Sequence, residues 1–174
     1  MRKSDVRIQW FSGLRLVLAG VLGAVSGNAA FTPLTPIQTA RITASSTAYP
    51  GGAFEVGNLV DRVLKTEYSS DNKGTGTFVE FEFDAPSTIG AFRHVDRNDP
   101  ATIVASELVF ADADGTTVAT VPVKHSGVRG GETFFTLPAP VTARRVKWSV
   151  TRLGPQGFGT VGGAEIAFYS SGPV

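Results

Sequence analysis

The segment Phe78-Val79-Glu80-Phe81-Glu82-Phe83 alternates apolar and acidic residues from Val79 onward, which places Val79, Phe81 and Phe83 on one face of a strand and Glu80 and Glu82 on the other. Phe78 falls on the acidic side of that alternation, and a bulge at the chain entry is expected to turn its ring inward. Further strand-like runs occur at residues 42–45, 89–95, 106–111, 117–123, 133–137, 144–151 and 164–169. Turn chemistry separates them. Asp112-Ala113-Asp114-Gly115 is expected to close a hairpin, Pro138-Ala139-Pro140 to break pairing, and Pro50-Gly51-Gly52 to make a tight loop. Only residues 54–59 suggest a helical turn. Eight short strands at this spacing, without an amphipathic helix, predict an all-β antiparallel sandwich or barrel, with Trp148 and Phe168 in its core.

The first thirty residues read differently. Arg2, Lys3 and Arg7 precede an apolar stretch over residues 16–25 that ends in Gly27-Asn28-Ala29-Ala30, the pattern of a signal peptide cleaved near Ala29 or Ala30. A membrane-spanning helix needs about 20 apolar residues, and this stretch has about half that. No transmembrane segment is therefore expected in the mature chain, which is expected to be secreted or periplasmic. The chain has no cysteine, which excludes a lipid-anchored cysteine, disulfides and thiolate chemistry. Four of the sixteen basic and one of the fifteen acidic residues fall within residues 1–30, so the remainder carries twelve basic and fourteen acidic groups. A net charge of −2 gives no footprint for nucleic acid. The remaining 144 residues suffice for one domain.

Two segments then stand out: Asn58-Leu59-Val60-Asp61 leading to Thr66-Glu67-Tyr68-Ser69, and Gly163-Ala164-Glu165-Ile166-Ala167-Phe168-Tyr169. Between them lie Ser87-Thr88-Ile89-Gly90-Ala91-Phe92, Ser106-Glu107-Leu108-Val109-Phe110 before Asp114-Gly115, and Val141-Thr142-Ala143-Arg144-Arg145-Val146-Lys147-Trp148. In this order they resemble the discoidin, or coagulation factor type C, family of galactose-binding-like domains, which includes bacterial carbohydrate-binding modules. The resemblance covers about residues 40–169. It implies a jelly-roll β-sandwich over residues 40–170, after a flexible stretch at 31–39. Arg62 stands where the family usually has Gly, Val63 where a polar residue is common, and Tyr68 where Trp is usual.

The resemblance also implies a structural calcium between the early loop and the last strand. Its ligands would be Asp61, Thr66 and Glu165, with backbone carbonyls near Leu64 and Ala164. Calcium takes about six to eight oxygens, and Val63 supplies no side-chain oxygen, so weaker binding is expected. The alternative is that Asp61 caps a turn while Glu165 pairs with an arginine.

Arg93-His94-Val95-Asp96-Arg97-Asn98-Asp99-Pro100 ends a strand and enters a loop. Sugars are recognised by planar donors and carboxylates, which Arg97, Asn98 and Asp99 offer together, and His94 could add a hydrogen bond. The resemblance places this loop at the ligand-binding edge, with Arg97 near the position of a sugar-binding arginine. A second possibility is that Asp96, Asn98 and Asp99 only shape a turn before Pro100. A sugar also needs an aromatic platform, for which Phe158, between glycines, and Tyr49, beside Pro50, are candidates; either ring could instead cover the end of the core.

Catalysis finds little support. Glu80 and Glu82 share a solvated strand face, Asp112 and Asp114 lack the glutamate that would close an EF-hand, and His94 and His125 form no metal-spaced pair. The chain is expected to be an exported, non-catalytic module that binds a carbohydrate or glycan, or else an adhesion or assembly domain that docks onto an envelope or extracellular protein.

Overall fold

The computed structural model describes residues 34–37, 41–157 and 159–170. The expected signal peptide lies outside the described residues. So does part of the stretch expected to be flexible, although Thr35 and Pro36 within it pair with Ser170 and Tyr169 as a short strand.

Nine strands are described: β1 (Thr35–Pro36), β2 (Arg41–Ser45), β3 (Tyr68–Ser69), β4 (Phe78–Val95), β5 (Ile103–Ala111), β6 (Thr117–Lys124), β7 (Glu132–Leu153), β8 (Gly162–Gly163) and β9 (Glu165–Ser170). All pairings are antiparallel. Strands β1-β9-β4-β7-β5-β6 form one sheet, with β2 also on β4, while β3 and β8 form a separate pair. The helical turn is 3₁₀ and runs over Val56–Val60, close to the expected place.

Two expected strand pairs are each one long strand. Residues 78–83 and 89–95 join in β4, and residues 133–137 and 144–151 join in β7. Their pairing slips between Glu82 and Ser87 and again between Ile89 and Ala91, opposite Pro138-Ala139-Pro140. Proline lacks the N–H that a ladder needs, so the sheet bends there and closes on itself. The first half of β4 pairs with β2 and the second with β9.

The closure brings Phe81, Phe83 and Phe92 of β4 around Phe168 of β9, with ring centroids 5.3, 5.6 and 5.6 Å from it. Trp148 is fully buried beside them, so both rings assigned to the core lie there. Burying one such aromatic side chain contributes on the order of 2–3 kcal/mol. The outer face of the first half is ionic: Glu82 faces Arg41, Arg144 and Arg145, and Glu80 faces Lys147. Phe78 stays on this face rather than turning inward, because the Lys147 ammonium sits 4.4 Å from its ring centroid. The β5–β6 hairpin closes as expected, with Thr116 N–H donating to Asp112 and Asp114 and Gly115 at φ +91°.

Candidate functional site

Loops at one end of the sandwich converge on Arg97. The residue follows β4, where Asp96 fixes the turn by accepting the N–H of Arg97 and of Ile103, each at 2.8 Å. Burial pushes the Asp96 carboxyl up to about 7 against these two bonds. The Arg97 guanidinium donates through Nε to Glu67 at 3.2 Å and through Nη1 to the carbonyl of Thr160 at 2.8 Å. It lies 5.2 Å over the ring of Phe54, and Nη2 is 3.9 Å from Asp99. With 6% of its surface exposed, Arg97 ties the loops together and is not the exposed sugar-binding group expected from the sequence.

His94 is likewise corrected: it has no exposed surface, so it cannot meet a ligand. Its ring stacks on Trp148 at 5.3 Å and meets His125 edge-on at 4.8 Å, and Nε2 donates to the carbonyl of Gly162. Burial holds the imidazole neutral, with its pKa lowered to about 4, and that of His125 to about 3. Gly163 must be glycine here, since a Cβ would lie 2.7 Å from His94 Nε2. His125 bonds Ser106 at 2.6 Å, but both are buried and the other ring nitrogen has no acidic partner, so the pair is not a catalytic one.

Asp99 accepts the N–H of Ala101, a turn-shaping role that the sequence had left open. Asn98 is exposed, and its carbonyl and side-chain oxygen both accept from Nε of Arg129, at 2.9 and 2.8 Å. Arg129 itself is exposed. It borders a cleft of about 380 Å³ lined also by Pro100, Thr102, Gly127, Pro155 and Gln156. Arg129 was missed from the sequence. Its signal was an arginine before Gly130-Gly131 in the β6–β7 loop, where Gly130 takes φ +63°. Tyr49 is 40% exposed and packs edge-on against Phe54, outside the cleft lining. Phe158 lies outside the described residues.

The residues implied for calcium are partly assembled. Asp61 accepts from the N–H of Val63 at 2.8 Å and from the hydroxyl of Thr66 at 2.6 Å, which is the turn-capping alternative. Glu165 is 5% exposed, and one of its carboxylate oxygens is buried with no partner. Burial raises its pKa, and the nearby charge of Asp61 adds to the rise. The one unsatisfied oxygen is that of Glu165, since both Asp61 oxygens are already engaged by Val63 and Thr66. Arg62 holds φ +64°, a conformation that glycine adopts more readily than other residues. Leu64 is exposed and Ala164 donates its N–H to Val95, while no group of three or more His, Cys, Asp or Glu placed to hold a metal ion occurs among the described residues. A cavity of about 460 Å³ opens beside Arg62, Leu64 and Glu165, lined by Phe81, Phe83 and Phe168 of the core and also by Arg93, Ala167 and Tyr169.

With this geometry the chain can be compared with known proteins. Residues 37–169 match the model of a domain of unknown function, DUF7402. The chain belongs to that family. No protein of curated function matches it in sequence. Its fold is shared with chitosan-binding module 1 of the chitosanase/glucanase from Paenibacillus sp. IK-5, at 16% identity over 77% of this chain and 97% of that one, TM-score 0.61. The family 32 carbohydrate-binding module of Streptococcus pneumoniae EndoD is similar at 17% identity, over 79% of this chain and 100% of the module, TM-score 0.61. That of C. perfringens NanJ, solved with galactose, is similar at 17% identity over 79% and 100%, TM-score 0.59. The fold is thus an all-β jelly roll of the galactose-binding-like kind, while discoidin itself remains a resemblance.

Proposed function

We propose that this DUF7402 domain is an exported, non-catalytic module that binds a glycan at the cleft beside Arg129. The observation that carries the proposal is the cleft itself: small, bordered by two prolines, and lined by the exposed Arg129, Gln156 and Thr102. A guanidinium offers paired donors to vicinal hydroxyls, and the proline rings offer C–H surface to a pyranose. A cleft this small suits a sugar better than the broad apolar surface that docking onto a protein would use. The carbohydrate-binding modules of like fold support the class of ligand, and the leader-like residues 1–30 support export to the periplasm or medium. A glycan array probed with wild type and Arg129→Ala tests the proposal. Bound glycans that disappear in the variant support it; an array without signal, or one unchanged by the substitution, overturns it.

Calcium is proposed as a structural ion, held by Asp61, Thr66 and Glu165. It would neutralise the buried carboxylate and join the early loop to β9. Melting curves should shift to lower Tm in chelator, as for any ligand bound to the native state alone. Identical curves, with no calcium in the dialysed protein, would remove it.

A further inference from the structure

The outer face of the second half of the sandwich differs from the ionic face of the first. Strand alternation turns Glu132 and Phe134 of β7, Ala91 and Arg93 of β4, and Tyr169 of β9 to this side. Arg93 lies directly opposite Phe134 on one neighbour and Ala167 on the other, and Ala91 lies opposite Tyr169. Phe134 is 47% exposed, although it sits in mid-strand between Glu132 and Thr136 where a polar residue would cost nothing. Its ring is 5.2 Å from that of Tyr169, with the planes inclined at 57°. Beside the rings, Arg93 and Glu132 form an ion pair at 2.9 Å.

We propose that this face is a second glycan site, separate from the Arg129 cleft, which takes one neutral pyranose unit of an oligosaccharide. At their spacing the two rings make one continuous apolar patch on the scale of a sugar ring. The C–H face of the pyranose packs on Phe134 and Tyr169, and its hydroxyls reach the guanidinium and carboxylate at the rim. Size argues against a second copy of the chain as the occupant. A ring of Phe134's exposure offers about 100 Å², whereas a stable interface covers about 800 Å² per partner. An ion pair at the centre of a protein interface would also have to be desolvated, while a sugar leaves it wet at the rim. Ala91 is fully buried beneath its neighbours on this face, and the small Ala167 adds little bulk beside the rings.

The test is an amide NMR titration of the mature chain with cellohexaose and chitohexaose, each taken to on the order of 10 mM, the range in which weak millimolar binding saturates. Saturable shifts are expected at residues 132–136 and 167–169. Phe134→Ala and Tyr169→Ala should each weaken them at least about fivefold, the worth of one stacked ring. Glu132→Gln should weaken them less, and Arg129→Ala should leave them in place. Because Phe134 packs outside the core, its variant is expected to keep the wild-type Tm. Shifts confined to the cleft loops, or no saturable shifts with either sugar, would overturn the second site. So would strand shifts that depend on protein concentration without sugar, since they would mark self-association. Shifts on the strands alone would count against the cleft and not against this face.

Discussion

Arg97 and Arg129 stand on adjacent loops at the same end of the sandwich, and they do opposite work. Arg97 is buried, spends its donors on Glu67 and Thr160, and lies over Phe54. Arg129 is exposed, bonds Asn98 through Nε, and lines a cleft. A loop arginine near a predicted binding edge is therefore not by itself a ligand group. What separates the two is whether other loops reach the guanidinium first.

The largest test of that contrast is Arg97→Ala. Removing one partner of a buried pair leaves Glu67 with only the N–H of Asn98, at a cost of about 3 kcal/mol. For a domain of this size Tm should fall by about 6–12 °C. Arg97→Met, which keeps the apolar stem, should lose nearly as much. Unchanged melting with lost glycan binding would return Arg97 to the ligand site.

Acid should weaken the same scaffold through the buried histidines. His94 and His125 titrate near 6.5 when unfolded and near 4 and 3 when folded, so below pH 6.5 the unfolded chain takes up protons that the native one refuses. Each site costs about 1.4 kcal/mol per pH unit as pH falls from 6.5 toward its folded value. Asp96 works the other way: with its folded pKa raised to about 7, its contribution grows as pH falls from there toward 3.8. Urea unfolding of wild type and His125→Gln at several pH values cancels the Asp96 term. The stability difference should change with pH between 6.5 and 4, and a constant difference would mean that His125 is already protonated in the native state.

The smallest expected effect on stability is that of Arg129→Ala, within about 0.5 kcal/mol, as for a surface substitution. Its effect on glycan binding should be about tenfold or more, the value of a hydrogen-bonded charged group. Stability lost in step with binding would erase the distinction between the two arginines.

The turns and the alternation of β4 were legible because they are local: Gly115 and Asp112 act within one hairpin, and Phe81 and Phe83 follow the period of a strand. Strand fusion was not, since the chain bends at Pro86 and Pro138 without leaving the sheet. Arg97 was recognised as important but given the wrong task. Nothing near it in sequence reveals Glu67 or Thr160, which lie thirty and sixty-three positions away. His94 follows the charged Arg93, yet its strand parity turns it inward against Trp148.

The sequence by itself determined the class of fold, because hydrophobic period, turn residues and the absence of cysteine act through nearest neighbours and composition. Only the tertiary structure decided which polar side chains are spent and which are free. That depends on contacts between loops far apart in the chain, and on the burial that makes those contacts strong.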